Sequence, residues 1–248
     1  MKSTNYKIIL FLSLFLLIAP FALAQEQDSD NDGITDEKEM STYFTDPHNQ
    51  DTDQDGYSDK IEIDNWYSPL VVGKKMKKTD TDKDDLDDEF ELKLGTNIND
   101  PDSDDDGYWD GLEVARGYDP LDANPKKIKK VIKVNIAEQK LAYYFGDVKL
   151  DEFLISGGLS YAPTPLGNFK ILDKVGSKNY GGAGYNFYYP DTKWNLHFTT
   201  TKWRYYIHGA YWHNSFGTPK SSGCVNVSYE NMERLYYWAE VGIDVEIF

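Results

Sequence analysis

Four twelve-residue segments place acids at the same five positions, and that register constrains the first half of the chain more than any other feature. They read DSDNDGITDEKE from Asp28 to Glu39, DTDQDGYSDKIE from Asp51 to Glu62, DTDKDDLDDEFE from Asp80 to Glu91 and DSDDDGYWDGLE from Asp102 to Glu113. Positions 1, 3, 5, 9 and 12 are Asp28, Asp30, Asp32, Asp36 and Glu39 in the first loop, and Asp51, Asp53, Asp55, Asp59 and Glu62 in the second. They are Asp80, Asp82, Asp84, Asp88 and Glu91 in the third, and Asp102, Asp104, Asp106, Asp110 and Glu113 in the fourth. Calcium takes six to eight oxygen ligands, and alternate side chains of a tightly curled loop converge on one point, with both oxygens of a Glu available at position 12. Position 6 must turn sharply. Gly33, Gly56 and Gly107 do so without steric cost; Asp85 does so at some cost, so the third site is expected to be the weakest. Ile34, Tyr57, Leu86 and Tyr108 place an apolar residue at position 7 every time. A solvated, disordered acidic tract has no need of four matches in one register.

The stretch resembles bacterial thrombospondin type 3 repeats, whose loops are like those of EF-hands and dockerins. That resemblance implies bound calcium in a structural role, and a half that is loose without the ion because its carboxylates repel one another. Short helices are expected after the loops, Asp88–Leu94 closed by Gly95 and Gly111–Arg116 closed by Gly117. The extra residues around Gly73–Lys78 read as an exposed loop. Asn124-Pro125-Lys126-Lys127 has the composition of a boundary. The expected organisation is a repeat region over 25–124, a linker over 125–128 and a second domain over 129–248.

Charge follows the same division. Residues 25–125 hold 31 acids against 9 bases, whereas 126–248 hold 11 acids against 15 bases. A field this negative argues against nucleic acid as a partner and favours cations. Ahead of the repeats, Lys2 and Lys7, an apolar run from Ile8 to Ala19 and Ala22-Leu23-Ala24 have the layout of a secretory signal peptide over residues 1–24. The run is too short to span a bilayer, so the mature protein is expected outside the cytoplasm, secreted, periplasmic or wall-associated, with no integral membrane segment. A protein with one cysteine, Cys224, forms no internal disulfide there. Such a thiol is either a buried small hydrophobe or a reactive group, and its neighbours decide.

From Lys129 the pattern changes to short strands and turns. Val131–Ile136, Lys140–Phe145, Glu152–Ser156, Asn168–Leu172, Tyr205–His208, Val225–Val227 and Ile243–Phe248 read as strands. One helix is expected from Tyr229 to Glu240, with Ser228 as its N-cap. The fold class is mainly β, a sandwich or barrel with minor helices, preceded by the small calcium-loop domain.

The chemistry concentrates between Ile207 and Ser228, in IHGAYWHNSFGTPKSSGCVNVS. A thiol becomes a nucleophile when a neighbouring base or cation favours its thiolate. His208-Gly209 ends one expected strand 16 residues before Cys224, and Gly223 leaves the backbone bare so that amide N–H groups can face an oxyanion. His213 is a second candidate base; His48 and His197 read as structural or surface residues.

These residues resemble the L,D-transpeptidase catalytic domain, also called YkuD. Its motif, a His-Gly followed after a loop by Ser/Thr-His-Gly-Cys, an apolar residue and Asn or Arg, is matched by His208-Gly209 and by Ser221-Ser222-Gly223-Cys224-Val225-Asn226. Thr164-Pro165-Leu166-Gly167-Asn168-Phe169 looks like its Thr-Pro-x-Gly-x-Phe element. Ser222 departs from the family's usual histidine, which bears on substrate preference or rate. The resemblance implies Cys224 as nucleophile, His208 as base, Gly209 as orienter of the imidazole, and the N–H groups of Gly223 and Cys224 as oxyanion donors. Ser221, Ser222, Asn226, His213, Tyr211 and Trp212 are the expected substrate contacts. It implies peptidoglycan stem peptides as partners, with a 3→3 crosslink formed through a thioester and no cofactor for catalysis. An L,D-carboxypeptidase and a calcium-ordered wall-binding protein with an inactive catalytic half remain open. An unrelated cysteine peptidase or a sortase is a further alternative, and a sortase needs an arginine at the nucleophile, for which Arg204 is the candidate.

Overall fold

The computed structural model describes residues 26–184 and 187–248, so the expected signal peptide lies outside the described residues. Each acidic loop runs into a short helix: α1 (Asp36–Lys38, continued by a wider turn over Glu39–Tyr43), α2 (Asp59–Asp64), α3 (Asp88–Leu94) and α4 (Asp110–Arg116). Gly95 and Gly117 take left-handed φ of 88° and 72° and stop α3 and α4 where the sequence places their ends.

The loops associate in two pairs. The N–H of Lys60, at position 10 of the second loop, donates to Asp32 of the first at 3.1 Å. At the same place in the other pair, the N–H of Gly111 donates to Asp84 at 2.7 Å. A Cβ on Gly111 would lie 2.3 Å from the Asp84 carbonyl oxygen, so only glycine allows that approach. Pairing also sorts the position-7 residues, burying Ile34 and Leu86 and leaving Tyr57 and Tyr108 exposed.

Among the described residues the second half has nine strands: β1 (Lys130–Asn135), β2 (Lys140–Phe145), β3 (Val148–Leu154), β4 (Gly167–Lys170), β5 (Asp173–Gly181), β6 (Tyr188–His197), β7 (Tyr206–Gly209), β8 (Val225–Val227) and β9 (Asp244–Ile247). One sheet runs β3-β2-β1-β9-β4 and the other β5-β6-β7-β8. Helix α5 (Tyr229–Trp238) follows β8, with Ser228 accepting the Asn231 N–H as N-cap. Ile132, Val134, Leu141 and Val245 of the first sheet share one core with Leu196, Ile207 and Val225 of the second and with Met232 and Leu235 of α5. The fold is mainly β, with two sheets and few helices, as the sequence predicts.

That core does not stop at residue 129. Leu86, Phe90 and Val114 of the second loop pair belong to it, and Phe90 packs edge-on against Tyr143 of β2. Arg234 of α5 pairs with Asp87, Glu89 and Asp151, its guanidinium 3.6 Å from the centre of the Phe90 ring. Lys130 Nζ donates to the Val114 and Ala115 carbonyls at the end of α4. The 125–128 segment is tied back through the Ile128 N–H to Gly117 O at 2.9 Å. The expectation of an exposed loop at Gly73–Lys78 needs correction. Gly73 and Lys74 are exposed, but Met76 is buried and Lys77 and Lys78 pair with Glu230 of α5. Among the described residues, no helix is long and apolar enough to cross a membrane.

Candidate functional sites

Strands β7 and β8 are parallel neighbours, with His208 opposite Asn226 and Ile207 opposite Val225. Cys224, the residue just before β8, therefore stands at the entry of that strand, beside the strand that carries His208. Both residues border a cavity of about 360 Å³, together with Leu159, Tyr161, Tyr180, Phe187, Tyr189, Trp212, Lys220, Ser221, Ser222 and Asn226.

The imidazole of His208 is fixed on two sides. Its Nδ1 lies 2.9 Å from the Gly209 carbonyl, an acceptor, so Nδ1 carries the proton and Nε2 is left as a base. The Tyr180 ring stacks on it at 4.5 Å and 26°, and the Tyr180 hydroxyl is anchored on Asn195 at 2.8 Å. Burial lowers the His208 pKa to about 4, against a smaller opposing effect of the Gly209 bond. Burial raises the Cys224 thiol to about 11, with Tyr206 N–H and the Lys178 charge pulling the other way. At neutral pH the pair is thus thiol and neutral imidazole.

The turn before Cys224 is held by Ser221. The Ser221 hydroxyl accepts the Gly223 N–H at 3.1 Å and donates to the Cys224 carbonyl. The N–H groups of Lys220 and Ser221 both donate to Gly157 O. Gly223 has φ +109°, and a Cβ there would lie 2.3 Å from Tyr205 Cε1. At Gly209 a Cβ would lie 2.6 Å from the Tyr229 ring. Both glycines are steric requirements of the site. The Thr164-Pro165 element acts from behind: Thr164 Oγ1 accepts the Gly158 N–H at 2.9 Å and fixes the segment to which the cysteine turn is tied.

Several expected roles change. The Gly223 N–H is engaged by Ser221 and does not face an oxyanion. His213 does not border the cavity: its Nδ1 accepts the Ser215 N–H at 3.2 Å and its Nε2 lies 3.1 Å from the Asn226 carboxamide. With both nitrogens engaged it positions Asn226 and is no rival base. Tyr211 is turned away, its hydroxyl on Pro190 O at 2.9 Å, whereas Trp212 borders the cavity and stacks on Tyr189 at 3.9 Å. Arg204 lies against His197 and Asp173 instead of the thiol, which removes the feature a sortase needs. His197 is a buried structural residue and His48 an exposed one. Tyr180, Phe187 and Tyr189 were not legible as site residues. They sit on the β5–β6 hairpin, a Gly-rich segment with no alternation to mark its strands.

In each acidic loop the aspartates of positions 1, 3 and 5 bring ligand oxygens within 4.8 Å of one another: Asp28, Asp30 and Asp32; Asp51, Asp53 and Asp55; Asp80, Asp82 and Asp84; Asp102, Asp104 and Asp106. The position-9 carboxylates differ from the expectation. Asp36, Asp59, Asp88 and Asp110 each accept the N–H and hydroxyl of the Ser or Thr at position 2, so they brace the loop. Oxygens without partners recur at positions 3 and 12. Oδ2 of Asp30, Asp53, Asp82 and Asp104 is buried and unbonded, as are Oε2 of Glu39 and Glu113 and both carboxylate oxygens of Glu62 and Glu91. Burial, reinforced by neighbouring aspartates, raises Glu39 and Glu113 to about 7, Glu62 to about 8 and Glu91 to about 10. A buried carboxylate left unpaired is costly, and the same oxygens at the same two positions of four loops fit one hard cation per loop.

Residues 129–247 match the family model of the L,D-transpeptidase catalytic domain, and residues 28–50, 51–65 and 102–123 match the bacterial TSP3 repeat. No curated protein matches the sequence. Among solved structures, the chain is similar to the L,D-transpeptidase from Mycobacterium smegmatis, with 21% identity, TM-score 0.45, and 49% of this chain and 59% of that one covered. It is similar to an L,D-transpeptidase from Mycobacterium tuberculosis H37Rv, with 22% identity, TM-score 0.43, and 49% and 58% covered. A mutant of the Enterococcus faecium L,D-transpeptidase gives 24% identity, TM-score 0.44, and 48% and 50% covered. The chain thus spans between half and three fifths of the length of these proteins.

Proposed function

We propose that this chain, which carries an L,D-transpeptidase catalytic domain behind bacterial TSP3 repeats, crosslinks peptidoglycan stem peptides outside the cytoplasm through a thioester on Cys224. The observation that carries the reading is the fixed tautomer of His208, whose free Nε2 shares a cavity with the single thiol of the chain. Cys224 Sγ attacks the carbonyl of the diamino acid at the third stem position, and His208 Nε2 takes the thiol proton. Negative charge builds on the carbonyl oxygen, for which the Cys224 N–H is the donor on the turn, since that of Gly223 is engaged. The C–N bond to the terminal D-alanine then breaks, and His208 returns the proton to the departing amine. The side-chain amine of a second stem attacks the thioester, loses a proton to His208 and releases the thiol, giving the 3→3 link. Water in place of that amine gives a carboxypeptidase.

Incubation with a carbapenem, read by mass spectrometry, tests the nucleophile: one adduct on Cys224 is expected, and none in Cys224→Ala. The acylation rate should be flat from about pH 5 to pH 10. It should fall below about pH 4, where His208 becomes protonated and no longer accepts the thiol proton. A rate that instead rises through pH 6–7 would make His208 an ordinary exposed base and reject this geometry. Muropeptides made by the purified protein identify the acceptor.

The acidic loops, in this reading, hold calcium. In each loop the aspartates of positions 1, 3 and 5 and the Glu of position 12 supply the oxygens, and the ion would take up the carboxylate oxygens at positions 3 and 12 that have no other partner. Titration calorimetry with calcium tests this directly; heats no larger than a nonspecific background would sink it.

A further inference from the structure

The walls of the Cys224 cavity are electrostatically unlike the rest of the molecule. The chain carries 42 Asp and Glu and a net charge of −16, yet among the described residues no carboxylate borders the cavity and the one permanently charged lining residue is Lys220. Its backbone is fixed by the N–H bond to Gly157 O at 3.0 Å, while its side chain is exposed and makes no ion pair among the described residues. Most lysines of the second half behave differently, with Lys129, Lys133, Lys140, Lys149, Lys170 and Lys193 all paired to carboxylates. Lys220 also acts on the neighbourhood, since its charge joins burial in holding His213 below the ordinary imidazole range. A second cation, Lys178, stands over the Tyr180 and Tyr206 rings at 5.6 and 5.4 Å. An unpaired, backbone-anchored cation at the mouth of an acid-free cavity is a receptor for an anion.

We propose that Lys220 receives the free α-carboxylate of the residue that leaves, and so restricts the enzyme to acyl donors that end one residue beyond the scissile bond. The inference rests on the transpeptidase reading above and adds to it a selector for the donor. In that first step Cys224 Sγ bonds to the acyl carbon, the C–N bond breaks, and the leaving amine takes the proton held by His208. The same leaving amino acid keeps its carboxylate on Lys220 throughout. A longer or amidated donor places a neutral group there and forfeits the contact.

The test compares two tetrapeptide donors, one with a free C-terminal carboxylate and one with a C-terminal amide, on the full chain with calcium present. Acylation of Cys224 is followed by mass spectrometry and by kcat/KM. Wild type should prefer the acid by about 10-fold or more, mainly through KM, the scale of one charge-assisted contact. In Lys220→Ala the acid-to-amide ratio should collapse to about 1, and in Lys220→Arg it should persist. Lys220 is exposed, and equal melting temperatures for all three proteins check that folding is unaffected. A ratio unchanged in Lys220→Ala overturns the inference while leaving the transpeptidase intact. Equal loss on both donors also overturns it and makes Lys220 a structural residue of the turn. Failure of wild type to be acylated by either donor overturns the transpeptidase reading, and the inference with it.

Discussion

The two loop pairs share one motif and have different surroundings. In both, position 5 of the leading loop accepts an N–H from position 10 of the following one, through Lys60 in the first pair and Gly111 in the second. The first pair stays outside the main core, which takes none of its residues. The second contributes Leu86, Phe90 and Val114 to that core and holds Arg234 of α5 between Asp87 and Glu89. Helix α5 follows directly on the strand that begins after Cys224. A repeat unit thus serves two ends without changing its own hydrogen bonds: one copy pair is a peripheral module, the other a wall of the catalytic half. Local sequence sets the loop, and the few apolar residues beside it decide what it packs against.

The sharpest way to break the comparison is to remove the side chain that joins the second pair to α5. Arg234→Ala leaves Asp87, Glu89 and Asp151 close together and largely buried without their cation, and should cost about 3 kcal/mol in chemical denaturation. Lys60→Ala in the first pair removes only an exposed ion pair with Asp64 and should change stability by less than about 1 kcal/mol. Equal effects would mean that the second pair is no more integral than the first.

Position 10 gives a smaller contrast. Gly111→Ala forces a Cβ to within 2.3 Å of the Asp84 carbonyl oxygen, and the displacement should lengthen the Gly111–Asp84 bond and cost about 1–3 kcal/mol. The equivalent Lys60 already carries a side chain, whose stem lies 3.7 Å from where a Cβ on Gly33 would stand, so Lys60→Ala is again the mild control. Thermal unfolding of the two variants side by side is the measurement, and an undisturbed Gly111→Ala would show that the second pair is looser than its geometry implies.

Much of this was legible in the sequence, for reasons that also explain what was not. The spacing of acids and glycines located four loops, because ligand convergence and a left-handed turn are local demands. It did not reveal that position 4 turns left-handed too, at Asn31, Gln54, Lys83 and Asp105 (φ 60–68°), since polar residues of any kind serve there. Alternation found β2 and β8 to the residue, but it missed β5 and β6. Most of that hairpin is half-buried or exposed on both faces, with burial only at Thr192 and at the Asn195–His197 end of β6, so little contrast is left for a sequence to display. The His208–Cys224 juxtaposition followed from the motif, whereas the engagement of the Gly223 N–H by Ser221 and the departure of His213 and Tyr211 from the cavity are tertiary outcomes. The placement of Lys220 on the cavity likewise depends on the bond from its N–H to Gly157, 63 residues earlier in the chain.

The smallest expected effect concerns Asp85, which the sequence marks as the defect of the third loop. It takes φ +73° where the other loops have glycine at 95–102°, and its N–H still reaches Asp80 at 3.3 Å, close to the 3.2 Å of Gly33 to Asp28. The turn is therefore made, and its cost is confined to one residue. Asp85→Gly removes that left-handed strain, of about 1 kcal/mol, but it also frees the unfolded chain, which offsets about 0.4–1 kcal/mol. The two nearly cancel, so melting temperature should move by less than about 2 °C. Because the Asp85 carboxylate is exposed and lies outside the cluster of Asp80, Asp82 and Asp84, calcium affinity of the third loop should change by less than about threefold. The governing feature of that loop is its burial, with Glu91 fully enclosed and both its oxygens unbonded. A tenfold gain in calcium affinity on Asp85→Gly would reverse this ranking, making position 6 the determinant and the shared core incidental to cation binding by the second pair.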